Sequence, residues 1–177
     1  WNSSFNTAQW VPNTGGGAYP VFCYDEETQF LFDQLNDEKK DLYFDEYPDR
    51  EEEYGNDEKR QYDRYAGFIM DEKLNQAAAH RLEAALANGY SGDAIPGEGT
   101  LKDYLEKISY RKNSSCRELY LRGREDADDA FDKLIGKTQD KYDSSGKRKD
   151  SLDYYRRIGM AHAEKDGEHY FMVILMR

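Results

Sequence analysis

The C-terminal end of the chain constrains its fold more than any other stretch. Arg157-Ile158-Gly159-Met160-Ala161-His162-Ala163 is a run of small and apolar residues. Glu164-Lys165-Asp166-Gly167 is a polar turn, and Tyr170-Phe171-Met172-Val173-Ile174-Leu175-Met176 is the most hydrophobic run in the molecule. Two runs joined through Asp-Gly predict a β-hairpin. The second run lacks the alternation of a strand with one wet face, so it predicts a strand covered on both faces and marks the centre of the core.

Upstream the pattern is helical. Asp25-Glu26-Glu27 sets acidic residues at the start of a segment whose Phe30, Leu31 and Leu35 recur at helical spacing. The clearest helix covers 71–88. Leu74, Ala78, Leu82 and Ala85 form its stripe, Ala77 and Leu86 widen it, and Asn88-Gly89 supplies a stop. Residues 89–99, with four glycines and Pro96, read as loop. Thr100 and Asp103 form a capping pair for a helix that buries Leu101, Tyr104, Leu105 and Ile108. A short strand is expected at Glu118-Leu119-Tyr120-Leu121, and a further helix over 125–135 with Ala127, Phe131, Leu134 and Ile135 inward. Helices first, single strands between and a hairpin last is the order of an α+β domain, with helices packed on a sheet.

Residues 1–24, rich in Asn, Ser, Thr and Gly, read as an irregular N-terminal arm with Trp1, Phe5 and Trp10 as anchors. Residues 25–177 form one domain with a substantial core. The acidic, Tyr-rich stretch 41–64 reads as a solvated insertion. A calcium site there is the sharper alternative, but nothing matches an EF-hand loop. The fifteen tyrosines are scattered, as expected of half-buried positions where the ring is covered and the hydroxyl finds a partner.

A formal net charge of −11 argues against nucleic acid or an anionic membrane as the main partner, since both need a basic footprint. The short basic runs Arg111-Lys112 and Lys147-Arg148-Lys149 read as solvated loops. No apolar stretch approaches the ~20 residues of a membrane span. The chain opens on Trp1 rather than Met, which is expected of a trimmed or mature product whose signal peptide has been removed. Cys23 and Cys116 fit no zinc spacing. They form either one long-range disulfide of an exported protein or two buried thiols. Asn2-Ser3-Ser4 and Asn113-Ser114-Ser115 match the glycosylation acceptor pattern.

Several of these segments together carry a resemblance. They are the alanine-rich helix Leu74-x3-Ala78-x3-Leu82, the glycine-rich loop and Tyr-Leu helix after it, Glu118-Leu119, and the Ala/Phe helix at 127–135. The most specific are Tyr155-Arg156-Arg157-Ile158-Gly159-Met160-Ala161 and Asp166-Gly167-Glu168-His169-Tyr170-Phe171. This resembles the CAP superfamily, also called SCP-like or cysteine-rich secretory and pathogenesis-related domains, in its bacterial extracellular form. The resemblance spans about residues 26–177. It implies an α-β-α sandwich with a central, mainly antiparallel sheet, and an extracellular or cell-surface location. It also implies a cleft where two histidines and two acidic residues bind a divalent metal such as zinc. The chain departs from that cleft. Where the first histidine belongs it has Tyr90-Ser91-Gly92-Asp93, and where the second belongs it has Thr138-Gln139-Asp140-Lys141. Glu118 matches the family's glutamate. With both imidazoles gone, the usual zinc site is expected to be absent and no cofactor is expected.

Glu118 is thus the candidate catalytic residue, and Tyr90, Asp93, Glu118 and Asp140 outline the candidate binding cleft. The plain alternative makes Glu118 a structural carboxylate that pairs with Arg117 or Arg122 or caps a loop. His162 and His169 face each other across the hairpin. Two imidazoles on one sheet face can share a metal, or can be ordinary strand positions. His80 reads as helix-surface packing, and Cys116 has no base beside it in sequence. No Walker loop, dinucleotide fingerprint or Gly-x-Ser-x-Gly elbow is present. The expected function is non-enzymatic binding of a lipid, glycan, cell-wall component or surface protein. The alternatives are a hydrolase remodelled around Glu118, with a metal on Asp93, Asp140 or a histidine, and a purely structural module of a surface protein.

Overall fold

The computed structural model describes residues 19–49, 66–89, 94–110, 115–138, 141–142, 144–145, 148–149 and 151–177. In chain order the elements are α1 (Glu26–Glu46), β1 (Ile69–Met70), α2 (Glu72–Asn88), α3 (Leu101–Lys107), β2 (Cys116–Arg124), α4 (Ala127–Lys137), β3 (Lys141–Tyr142), β4 (Arg148–Lys149), a short 3-10 turn (Leu152–Tyr154), β5 (Arg157–Lys165) and β6 (Glu168–Met176). The hairpin forms as the sequence predicts. Asp166 and Gly167 both take positive φ, 52° and 80°, the geometry that lets a two-residue turn follow the twist of its strands.

The main sheet has the order β1-β5-β6-β2. β1 runs parallel to β5 and the other pairs are antiparallel. This is an α+β fold with a mixed four-stranded sheet. β3 and β4 pair separately. Helices cover both faces. Leu74, Ala78 and Leu82 of α2, with Leu101 and Leu105 of α3, pack against Ala161, Ala163, Met172 and Ile174. On the opposite face Leu31 and Leu35 of α1, with Ala130 and Leu134 of α4, pack against Leu119, Met160, Phe171 and Val173. Alternate residues of β6 from Phe171 to Met176 enter the two layers in turn, which is why that part of the strand is apolar without alternation.

α1 extends well beyond its apolar stripe and into the charged stretch. The Asp25 side chain accepts from the Thr28 N–H while Asp25 N–H donates to Thr28 Oγ1, closing a capping box at its start. Farther along, two of the inward residues, Asn36 and Lys39, are polar. Asn36 Oδ1 accepts from Phe68 N–H at 2.7 Å, and Lys39 Nζ donates to the carbonyls of Ala66 and Gly67 at 3.0 and 3.1 Å. Burial pushes the Lys39 ammonium down to about 8, against the pull of Asp153. These bonds satisfy the backbone entering β1, a job no apolar periodicity announces.

The two long edges of the sheet end differently. At β5, α2 crosses so closely that a Cβ on Gly159 would lie 2.2 Å from the Leu74 carbonyl carbon. The outward N–H of Met160 donates to Asn75 Oδ1 at 2.9 Å, Ile158 C=O accepts from Asp71 N–H, and His162 exchanges both backbone bonds with Phe22. The last residues of the arm expected over 1–24 pack against this edge through one isolated bridge, and Val21 and Cys23 are fully buried there. At the opposite edge, no described strand pairs with the outer side of β2.

Both cysteines are free thiols. The disulfide alternative fails on distance. Phe22 lies outside β5 and Cys116 lies in β2 outside β6, so three strand spacings, roughly 14 Å, separate them, against a limit of about 7 Å. Cys23 Sγ donates instead to the Asn75 carbonyl at 3.3 Å. Cys116 is only half-buried.

Candidate functional site

Glu118 lies in β2 and faces α2, where it meets an arginine rather than a metal. Arg81 is fully buried, on the inward stripe of α2 at the 74, 77, 78, 81, 82, 85 positions. Its Nε donates to Glu118 Oε2, its Nη2 to Glu118 Oε1 at 3.1 Å, and its Nη1 to the Gly99 carbonyl at 3.3 Å. A guanidinium matches a carboxylate fork to fork, so both oxygens are occupied. Glu118 does pair with an arginine, but not with Arg117 or Arg122 beside it in sequence. The residues that the resemblance would give to a divalent metal do not fit one here: two imidazoles are replaced in the sequence, and the carboxylate that remains is held by a cation.

Around Glu118 the outer side of β2 opens into a groove of about 850 Å³, bounded by the start of α3 and by α4. Six cations line it: Lys102, Arg117, Arg122, Arg124, Lys133 and Lys137. Among the described residues only Arg124 has a further carboxylate in reach, Asp129 at 3.8 Å, and Arg117 spends a donor on the Lys137 carbonyl at 2.7 Å. Burial pushes the Lys137 ammonium down, and Lys133, Arg117, Arg124 and Arg122 add like-charge repulsion. Burial pushes the Cys116 thiol up, with Lys102 opposing and Glu118 adding to the rise, so Cys116 is a poor nucleophile.

The histidines of the hairpin do come together, diagonally rather than directly opposite. His162 Nδ1 lies 2.6 Å from Asp25 Oδ2, His162 Nε2 lies 2.8 Å from His169 Nδ1, and His169 Nε2 lies 3.5 Å from Glu164 Oε1. Two nitrogens on one tetrahedral zinc would be roughly 3.3 Å apart. The shorter spacing is that of a proton shared between the rings. No group of three or more metal-ligating side chains converges among the described residues. Burial pushes the Asp25 carboxyl up, but the bond and charge of His162 and the bonds from Thr28 outweigh it and leave that carboxyl below its usual range. His80 packs on the surface of α2, 2.7 Å from Glu98 and stacked on Tyr104 at 4.8 Å between centroids. Tyr90, Asp93 and Asp140 lie outside the described residues.

The chain is similar in structure to an outer surface protein from Borrelia burgdorferi, with a TM-score of 0.58 and 13% sequence identity, over 90% of this chain and 96% of that one. At that identity the likeness concerns the fold. No family model matches the chain, and no curated protein matches it either. Among the described residues no helix is long and apolar enough to cross a membrane.

Sequence reasoning singled out Glu118 and the hairpin histidines and missed Arg81, Asp25 and the cation-lined groove. Arg81 left a signal: a charged residue in an inward stripe of alanines and leucines must find a buried acid. The groove left none, because its cations are scattered over 36 positions from Lys102 to Lys137 and converge only when β2 lies between α3 and α4.

Proposed function

We propose that this chain is a secreted or cell-surface CAP-like domain that acts by binding rather than by catalysis, with its ligand seated in the groove around Glu118. The observation that carries this reading is the Arg81 clamp. A carboxylate whose two oxygens both accept from one buried guanidinium is placed to fasten β2 to α2, not to take a proton or hold a metal. The fold it shares with a protein named for the outer surface agrees with a surface role.

The test combines binding with turnover. Native mass spectrometry of the purified protein, before and after incubation with lipid, glycan and peptide panels, should show one class retained. Retention of none, or hydrolysis of a panel member that Glu118→Gln abolishes, would overturn the proposal. Arg81→Met should cost about 3 kcal/mol in urea unfolding, because it strands a mostly buried carboxylate. Adding Glu118→Met should recover much of that loss.

A further inference from the structure

We propose that the groove takes an acidic peptide segment in extended conformation, which adds to the sheet as a fifth strand along the outer edge of β2. This rests on the binding role proposed above and names the partner.

The backbone supplies the first reason. On β5 the even-numbered residues direct their peptide groups away from β6, as the bonds of Ile158, Met160 and His162 show. Their partners across the hairpin, Leu175, Val173 and Phe171, must then direct theirs toward β2. Those residues stand opposite Arg117, Leu119 and Leu121. It follows that Cys116, Glu118 and Tyr120 turn their N–H and C=O groups out of the sheet. Among the described residues nothing bonds to the outward peptide groups of Cys116 and Glu118. An added strand would meet donors and acceptors in ladder spacing, which a lipid or a sugar polymer does not match.

Charge supplies the second. Lys102 stands on the α3 side of this edge, Lys133 and Lys137 on the α4 side, and Arg122 and Arg124 at the far end of the strand. Lys102, Arg122, Lys133 and Lys137 have no carboxylate partner among the described residues, although the chain carries a net −11. A second copy of the chain is disfavoured, since pairing β2 with β2 would set these cations against each other. A long polyanion is disfavoured too, because beyond the groove it meets an acidic molecule. A short acidic segment uses both the cations and the ladder.

The probe is a fluorescent peptide of alternating Glu and Val, about as long as β2, titrated by anisotropy at several salt concentrations. Binding should weaken with salt. The triple variant Lys102→Glu/Arg122→Glu/Lys133→Glu changes exposed side chains only, and should bind at least about tenfold more weakly while melting near the parent temperature. Amide exchange at Cys116 and Glu118, followed by NMR, should slow on peptide addition. A peptide N-methylated at alternate residues keeps its charge but loses the ladder, and should neither bind comparably nor protect those amides. Equal binding by the N-methylated peptide, or tighter binding of heparin, would overturn strand addition while leaving a ligand-binding domain in place. If lipid, glycan and peptide all fail to bind, both readings fall.

Discussion

The two edges of the sheet contrast in how each ends its row of peptide groups. At β5 every outward bond described is made within the chain: by β1, by Asp71 and Asn75 at the start of α2, and by Phe22. At β2 the outward groups of Cys116 and Glu118 meet none among the described residues, and cations flank them. An exposed strand edge is a template for another chain, and closing it or charging it are the two usual remedies. This molecule uses one remedy on each side. Closure at β5 depends on a helix backbone lying against a strand. Charge at β2 repels another copy of itself but selects for an acidic partner. The closed edge should therefore be intolerant of small changes in shape, and the charged edge tolerant of shape and sensitive to sign.

Gly159→Ala is the most severe way to break that contrast. Its Cβ would sit 2.2 Å from the Leu74 carbonyl carbon and 2.4 Å from Leu74 Cβ, so α2 must leave β5. We expect a loss of about 3 kcal/mol or more, or no folded protein, as overpacking against backbone has no flexible side chain to absorb it. Gly136 in α4, beside the charged groove, has nothing within 4 Å of a Cβ. Gly136→Ala should leave stability unchanged or raise it by up to about 1 kcal/mol through helix propensity. Similar melting temperatures for the two variants would show that α2 does not seal the β5 edge as described.

How much of this contrast the sequence shows depends on the range over which each feature is encoded. The hairpin is local: Asp166-Gly167 sets the turn, and the apolar run of β6 sets a strand with two covered faces. α2 is equally plain, with its stripe from Leu74 to Ala85 and Gly89 taking positive φ at its end. The second half of α1 is not, because Asn36 and Lys39 face inward to bond backbone rather than to bury apolar surface. The short β1 escapes notice because a two-residue parallel strand has no periodicity. At the site, Glu118 is legible from its neighbours, but its partner is 37 residues away. Each cation of the groove reads singly as a solvated lysine or arginine. Only topology makes them one feature.

A proline pair sharpens the contrast at β2 itself. Proline lacks an N–H, so its cost in a strand depends on which way that N–H points. By the parity of the ladder, Arg117 donates into β6 and Cys116 donates outward. Arg117→Pro should cost about 2 kcal/mol more than Cys116→Pro in urea unfolding, the value of a lost ladder bond plus the stranded Leu175 carbonyl. Equal costs, or a larger one at Cys116, would mean that the outer edge of β2 does not present the groups assigned to it, and strand addition would lose its geometric basis.

The smallest effect concerns charge at the closed edge. Asp25 caps α1 and faces His162 on β5, so it joins the first helix to the hairpin. Its folded carboxyl titrates below its unfolded value, which is near 4. Such a group adds stability at pH values above the unfolded value, and that contribution is lost as pH falls through the folded one. Asp25→Asn keeps a side-chain cap and removes the charge, so it should cost about 1 kcal/mol at neutral pH, with the gap to the parent closing as the solution is taken down from about pH 4. Asp129→Asn removes the carboxylate 3.8 Å from Arg124 at the open edge, where both groups are partly solvated. It should change stability by less than about 0.5 kcal/mol at neutral pH. A pH-independent gap for Asp25→Asn would reduce its role to capping. A loss at neutral pH for Asp129→Asn as large as that of Asp25→Asn would mean that the β2 edge also relies on internal ion pairs, and that its cations are less available to a partner than the groove suggests.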